Sequence, residues 1–181
     1  VVCFFTINTG YEKEVRHLIT SLKKYNLPHH IQGLPSSGNW VKNCSMKPFF
    51  IQEIMNKYKN VPIVWLDADA VVVNYPILFH NSNAQNLNSI MCGYLKPEIL
   101  SGTIYIKNDS ISNVIVDEWV LSQSKNPDVW DQKVLQGVQE QYKPFFSFVP
   151  FSYIKIFDNA RMELEEQPVI VHNQASRRLK N

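Results

Sequence analysis

The chain has 181 residues, of which 45% are hydrophobic, 12% aromatic and 19% charged, with a formal net charge of +2. A chain of this length can bury one sizeable core, and its aromatic content excludes an intrinsically disordered protein. The mild charge argues against a nucleic-acid partner, and the strand-sized apolar runs exclude a membrane span. We therefore expect a single domain over residues 1–181.

The first third of the chain alternates between strand and helix patterns. Strands are predicted at residues 1–7, 29–34 and 63–66, and a Ser/Gly/Pro-rich loop is predicted at residues 35–39. Helices are predicted between Gly10 and Asn26 and over residues 45–58, because apolar residues recur there at helical spacing. This alternation predicts an α/β fold with a Rossmann-like, mostly parallel central sheet flanked by helices.

The second half is more mixed. Strands are predicted at residues 89–94, 103–107, 145–149 and 169–171, and one helix at residues 111–121. The run Asn126-Pro127-Asp128 offers an N-cap, a first-position proline and a first-turn acid, which predicts a helix from Asn126 to about Gln139.

The three cysteines are Cys3, Cys44 and Cys92, with wide spacing and no Cys-x-x-Cys pair. An odd number at such spacing predicts free thiols in a reducing compartment. No secretory signal opens the chain, which begins at Val1 rather than Met. We expect a cytoplasmic protein of microbial or viral-host origin, or a soluble domain of a larger protein.

The segment most informative about function is Asp67-Ala68-Asp69, which directly follows the apolar strand at residues 63–66 and precedes a second β-branched run. In open α/β sheets, ligands bind at the carboxyl ends of the strands. Two acids buried in apolar surroundings are costly unless a cation or hydrogen-bond donors meet them. The spacing therefore suits a hard divalent metal that leaves open positions for phosphate and water.

With this motif, VWLDADAVVV, the sequence resembles the GT-A fold glycosyltransferases, which are metal-dependent enzymes that use sugar nucleotides. The resemblance covers most of the chain and implies transfer of a sugar from a nucleotide diphosphate donor, expected to be a UDP-sugar, to a glycan or other hydroxyl acceptor. It implies that Asp67, Asp69 and His172 bind Mn²⁺ or Mg²⁺, and neutral imidazole is a suitable ligand for Mn²⁺.

The same resemblance implies a set of donor-binding residues in several separate segments. Leu100 and Ser101 depart from the pattern, because the family often has Asn and a small residue there. Lys47 also falls on the buried stripe of its predicted helix, where a cation needs an anionic partner. The implied nucleotide- and donor-binding residues are Thr6, Asn8, Tyr11, Lys47, Asp67, Ala68, Ser101, Gly102 and Arg178.

The catalytic residues implied by the resemblance are Asp131 and Gln132, near the start of a late helix. Asp131 is the candidate general base if the reaction inverts the anomeric configuration, because one carboxylate must accept the acceptor proton. Gln132 is expected at the reacting face if the reaction retains it, and the resemblance favours retention.

Three other functions fit parts of the sequence. A metal-dependent phosphohydrolase also uses Asp-x-Asp after a strand, but Val71 stands where its motif has Thr. A nucleotidyltransferase shares metal-binding carboxylates, but the loop after the first strand is poor in glycine. The third is a non-catalytic protein that binds sugar nucleotides.

Overall fold

A computed structural model of the chain describes residues 1–80, 87–157 and 167–179. Among these residues the helices are α1 (Tyr11–Lys24), α2 (Trp40–Ser45), α3 (Lys47–Lys57), α4 (Ser110–Lys125), α5 (Asp131–Gln141) and α6 (Ala175–Leu179). The strands are β1 (Val2–Thr6), β2 (His30–Leu34), β3 (Ile63–Leu66), β4 (Ala70–Val72), β5 (Ile90–Leu95), β6 (Glu98–Ile106), β7 (Phe146–Phe148), β8 (Lys155–Ile156) and β9 (Ile170–His172).

The central sheet has six strands in the order β2-β1-β3-β6-β5-β7. Strand β6 pairs antiparallel with both β3 and β5, whereas β1 pairs parallel with β2 and β3, and β5 pairs parallel with β7. The other five strands therefore run in one direction, and their carboxyl ends meet at one edge. This arrangement confirms the predicted mostly parallel sheet and explains why the second half of the chain looked mixed.

A second sheet of three strands, in the order β4-β9-β8, brings two distant parts of the chain together. Ala70 of β4 pairs with His172 of β9, so Asp69, one residue before β4, comes to lie beside His172. The register of this small sheet thus joins the Asp-x-Asp segment to a residue more than a hundred positions later.

Apolar side chains pack on both faces of the central sheet. One face is covered by α3, α4 and α5, which contribute Ile51, Trp119 and Leu135 to a single buried cluster. On the other face α1 contributes Leu18 and Leu22 to a second cluster that includes β4 and β9 of the small sheet. Burial on both faces accounts for the continuous apolar run of β3.

The structure corrects the sequence prediction at the start of α5. The prediction that this helix begins at Asn126 is wrong, because α4 continues to Lys125 and Asn126 is its C-cap. The Asn126 side chain donates to the Ser122 carbonyl, and Gln123 donates to the carbonyls of Asn126 and Val129. These hydrogen bonds end α4 at the Asn126 segment. Helix α5 begins five residues later, at Asp131.

Two short helices, α2 and α6, were not predicted, and β6 is longer than the strand predicted at residues 103–107. The three cysteines are free, as predicted, and Cys3 and Cys92 are buried. Among residues 1–80, 87–157 and 167–179, the helices all lack the length and apolar character required to cross a membrane.

Candidate active site

A cavity of about 320 Å³ opens at the carboxyl edge of the central sheet. Its size is at the lower end of the roughly 300–1,000 Å³ typical of ligand sites. The ends of β1 and β3, the middle of β6 and the first residues of α5 all reach it. The lining includes Thr6, Tyr11, Trp40, Cys44, Lys47, Asp67, Ala68, Asp69, Leu100, Ser101, Gly102, Thr103, Trp130, Asp131, Gln132, His172, Gln174 and Ser176.

Asp67, Asp69 and His172 form a cluster in this cavity whose candidate ligand atoms all lie within 4.8 Å of one another. The closest approach recorded is 3.9 Å, between His172 Nδ1 and Asp69 Oδ1. Strand β3 positions the two aspartates, and β9 positions the histidine by pairing with β4. Residues from two sheets therefore converge on one point.

Thr103 fixes which nitrogen of His172 is available to a ligand. The Thr103 hydroxyl donates to the Tyr153 carbonyl at 3.0 Å, so its single proton is used. Thr103 Oγ1 also lies 2.9 Å from His172 Nε2 and must accept there, which places the imidazole proton on Nε2. In the neutral ring the lone pair of Nδ1 then faces the aspartates, an orientation of the kind that a hydrogen bond imposes on metal-ligating histidines in general.

The two oxygens of Asp67 have different surroundings. Oδ1 accepts from Lys47 Nζ at 3.0 Å and from Trp65 Nε1 at 2.8 Å. Oδ2 faces Gly102, where an added Cβ would stand 3.3 Å from this oxygen and 3.1 Å from His172 Nδ1. A side chain at position 102 would therefore crowd the space between these two ligand atoms, and glycine keeps it open.

Asp69 is held by the start of α6. Its Oδ2 accepts from the Ala175 backbone N–H at 2.8 Å, which leaves Oδ1 directed at His172. Burial alone raises the pKa of Asp69, but the hydrogen bond and positive charge that a protonated His172 offers in the absence of a cation, together with the Ala175 N–H, outweigh it and hold the pKa below its usual value. Asp69 is therefore a carboxylate at neutral pH.

These three side chains fit a hard divalent cation. Two carboxylate oxygens and one neutral imidazole nitrogen are the donor types that Mn²⁺ accepts, and carboxylates also suit Mg²⁺. Each residue has one atom held by the protein and another directed at the common point. A set of three protein ligands leaves other coordination positions for a substrate.

A second polar cluster, formed by Lys47, Asp131 and Ser101, lies against the first. Lys47 Nζ is 2.7 Å from Asp131 Oδ2, 3.1 Å from Ser101 Oγ and 3.0 Å from Asp67 Oδ1. Ser101 Oγ donates to Asp131 Oδ2 at 2.7 Å. Only 4% of Lys47 and 3% of Asp131 is exposed, so these charges depend on one another.

Burial affects the two charged groups of this cluster differently. It raises the pKa of Asp131, and the Asp67 carboxylate adds to that effect, while Lys47 opposes it. Burial alone lowers the pKa of Lys47, but Asp131 and Asp67 more than offset it and raise the pKa above its usual value. Lys47 is therefore a permanent cation shared by two carboxylates.

One end of the cavity is lined by Thr6, the last residue of β1, and by Tyr11, the first residue of α1. The Thr9 hydroxyl donates to the Thr6 carbonyl at 2.6 Å, and the two threonine hydroxyls lie 3.0 Å apart. The Trp40 indole N–H donates to the Tyr11 hydroxyl, and burial raises the pKa of Tyr11 to about 12. Tyr11 is therefore a neutral phenol fixed at the cavity wall.

The structure brings most of the residues predicted from sequence into this one cavity. Asn8 and Arg178 lie outside the lining that the described residues form. The Asn8 backbone N–H donates to Glu12 at 2.6 Å, and Arg178 Nη2 donates to Glu14 Oε1 at 2.9 Å. Arg178 therefore lies against α1, although Gln174 and Ser176 of the same segment line the cavity.

Sequence reasoning missed several side chains that shape the site. Thr103 orients His172, Trp65 donates to Asp67, and the ring of Trp130 approaches that of Trp40 to 6.3 Å at the cavity wall. A polar residue inside the otherwise apolar run of residues 103–106 was the available signal for Thr103. The roles of the tryptophans depend on contacts between distant segments and have no local signal.

A family model described as nucleotide-diphospho-sugar transferase matches residues 12–181. No curated protein matches the sequence. Among solved structures, the fold is similar to a glycosyltransferase involved in glycosylation of the major capsid of PBCV-1, with 15% identity, coverage of 98% of this chain and 96% of that chain, and a TM-score of 0.70.

Two further solved structures share the fold. Mouse xyloside xylosyltransferase 1 in its apo form has 11% identity, coverage of 97% of each chain and a TM-score of 0.62. The galactosyltransferase LgtC, in complex with donor and acceptor sugar analogues, has 9% identity, coverage of 95% of this chain and 86% of that chain, and a TM-score of 0.63. These matches confirm the GT-A fold.

Proposed function

Because the chain belongs to the nucleotide-diphospho-sugar transferases, a family of glycosyltransferases, we propose that it transfers a sugar from a UDP-sugar to an acceptor hydroxyl with the help of a divalent metal. The observation that supports this most is the convergence of Asp67, Asp69 and His172 in the cavity. The alternatives of a phosphohydrolase and a nucleotidyltransferase have no support in the family match.

In this proposal Asp67, Asp69 and His172 hold Mn²⁺ or Mg²⁺. Such a cation neutralises the negative charge that develops on a diphosphate leaving group. Thr103 accepts from Nε2 of the neutral His172 ring, which directs Nδ1 at the proposed metal position, and Gly102 leaves room beside it. The protein thus prepares the site before any ligand enters, which avoids reorganisation during the reaction.

The nucleotide is proposed to lie at the Thr6 and Tyr11 end of the cavity. Tyr11 offers a ring fixed by Trp40, and Thr6 is nearly buried, which suits recognition of a flat base with a few polar atoms. Ala68 lies between the two aspartates and also lines the cavity, so its backbone is proposed to contact the ribose side of the donor. Asn8 does not line the cavity, so it would contact only a base that extends beyond the cavity wall.

Asp131 and Gln132 are proposed to position the donor sugar. Asp131 Oδ2 is already bonded to Lys47 and Ser101 and is buried, which favours a positioning role over that of a general base. Gln132 Oε1 accepts weakly from the Ser101 backbone at 3.4 Å, so this amide can exchange that bond for a sugar. With Asp131 bonded in this way, we propose a reaction that retains the anomeric configuration, with Gln132 at the reacting face.

The proposed function can be tested by incubating the protein with UDP-glucose, UDP-galactose, UDP-xylose and UDP-N-acetylglucosamine in turn, each with diamagnetic Mg²⁺. Proton NMR of the anomeric region reads both slow donor hydrolysis and the configuration of the released sugar. We expect one donor to be consumed with the α-anomer released first, and Asp69→Asn to abolish the reaction. If no donor is consumed while p-nitrophenyl phosphate is hydrolysed, the assignment as a glycosyltransferase is wrong.

A further inference from the structure

One aromatic side chain at the cavity rim has no part in the proposed binding of nucleotide or metal. Trp130 is 37% exposed, although it is large and apolar, and it lines the cavity directly before Asp131 and Gln132. Its backbone is extended at the N-cap of α5, which turns the side chain out of the helix. Its recorded ring contact is with Trp40, at a tilt of 52°.

Trp130 lies at the opposite end of a row of aromatic side chains from the proposed nucleotide position. Trp40 contacts both Tyr11, through a hydrogen bond, and Trp130, through its ring. A nucleotide at Tyr11 therefore leaves Trp130 free, beyond the point where Asp131 and Gln132 meet the donor sugar. The acceptor must bind next to the donor sugar during transfer, so the position at Trp130 suits the acceptor.

Polar groups with partial exposure follow Trp130 in the chain. The Lys133 backbone N–H donates to the Trp130 carbonyl at 3.1 Å, so Lys133 lies in the first turn of α5 directly after Trp130. Its Nζ is 2.6 Å from Glu98 Oε1, and the two side chains remain 38% and 45% exposed. A flat aromatic surface beside hydrogen-bonding groups of both charges matches a sugar ring, which has an apolar C–H face and a rim of hydroxyls.

We propose that Trp130 forms the acceptor subsite together with Lys133 and Glu98, which lie outside the cavity lining, and that the acceptor is a carbohydrate whose ring stacks on the indole. This inference rests on the proposed function, since it names the acceptor of the same reaction. The ring of Trp130 selects a cyclic sugar over an acyclic hydroxyl compound. Lys133 and Glu98 donate to and accept from the hydroxyls of the stacked ring.

Saturation-transfer NMR on the whole chain tests this, with UDP and diamagnetic Mg²⁺ present and methyl glucopyranoside, galactopyranoside and xylopyranoside as probes. Sorbitol serves as the acyclic comparison. We expect at least one pyranoside to give a signal well above that of sorbitol. Removal of the ring in Trp130→Ala should reduce that signal by about fivefold to tenfold, and Trp130→Phe should keep it within about threefold.

The control variant is Phe49→Ala, which removes an exposed ring of α3 that does not line the cavity and should leave the signal unchanged. UDP titration with Mn²⁺ on every variant separates the two claims. Trp130→Ala should bind UDP as the unmodified chain does. If it loses UDP as well, Trp130 serves the nucleotide or the fold, and the acceptor subsite is rejected.

Two other results would overturn the inference. A pyranoside signal that survives Trp130→Ala would place the acceptor elsewhere. Pyranoside signals no stronger than that of sorbitol would reject a carbohydrate acceptor, and UDP binding in the same sample would still support the proposed function. If the unmodified chain binds no nucleoside diphosphate with any metal, the proposed function fails, and the acceptor subsite falls with it.

Discussion

The two polar clusters of the cavity lie side by side but differ in how their atoms are used. In the cluster of Lys47, Asp131 and Ser101, the recorded contacts pair the side chains with one another. In the cluster of Asp67, Asp69 and His172, one atom of each side chain is held by the protein and another points to a common space. We infer that the first cluster supports the structure, and the second is the proposed binding site.

This difference shows why burial alone does not identify a ligand site. Lys47 and Asp131 are more deeply buried than Asp67, yet their charges are satisfied inside the protein. Asp67 belongs to both clusters, since Oδ1 meets Lys47 and Oδ2 faces the common space. Loss of a residue from the support should therefore reduce stability, and loss from the binding site should reduce affinity with little effect on stability.

The largest effect is expected for Lys47→Met. Removal of the ammonium leaves Asp131 buried beside Asp67 without a cation, and breaking a buried ion pair in this way typically costs about 3–5 kcal/mol. Urea denaturation followed by circular dichroism should show this loss. Lys57→Met, at the other end of the same helix, is the control, and an equal loss in both variants would contradict the supporting role of Lys47.

An intermediate effect is expected for Thr103→Val. Without the hydroxyl, His172 loses the bond that holds its proton on Nε2, and loss of such a partner typically costs about tenfold to a hundredfold in metal affinity. Titration with Mn²⁺ followed by electron paramagnetic resonance measures this affinity directly. Thr103→Ser keeps the hydroxyl and should bind Mn²⁺ nearly as the unmodified chain does; equal affinity in Thr103→Val would reject the orienting role.

The smallest effect concerns Arg178, which the family resemblance implies for donor binding but whose Nη2 lies 2.9 Å from Glu14 Oε1 in the structure. If Arg178 leaves Glu14 to bind the diphosphate, Glu14→Gln should strengthen UDP binding by about twofold to fivefold, since an ion pair with one exposed partner, here Arg178, is worth about 1 kcal/mol. Arg178→Gln should weaken it. Calorimetry that finds neither change would leave Arg178 as a purely structural partner of α1.

The sequence predicted those features that depend on local pattern. The apolar run before Asp67 predicted strand β3, and the alternation before it predicted the parallel sheet. The buried stripe placed Lys47 at the end of α3 that faces the cavity, because helical periodicity fixes which side chains share a face. For these features, the information lies within one element.

The sequence could not predict features that depend on contacts between distant segments. The partner of Lys47 was expected to be a ligand anion, but the structure provides Asp131 from a helix more than eighty residues later. The Asn126 segment has a helix-start composition, yet the hydrogen bonds of Gln123 make it a helix end. The tautomer of His172 likewise depends on Thr103 and Tyr153, which no spacing reveals.

The central claim is that the atoms left open at Asp67, Asp69 and His172 bind a metal that in turn binds a nucleoside diphosphate. Its most direct test is calorimetric titration with UDP, with and without Mn²⁺, on the unmodified chain and on Asp69→Asn. We predict UDP binding that requires Mn²⁺ and that falls at least about a hundredfold in Asp69→Asn, while the midpoint of urea denaturation stays nearly unchanged. UDP binding of equal strength without metal, or in Asp69→Asn with metal, would contradict the claim.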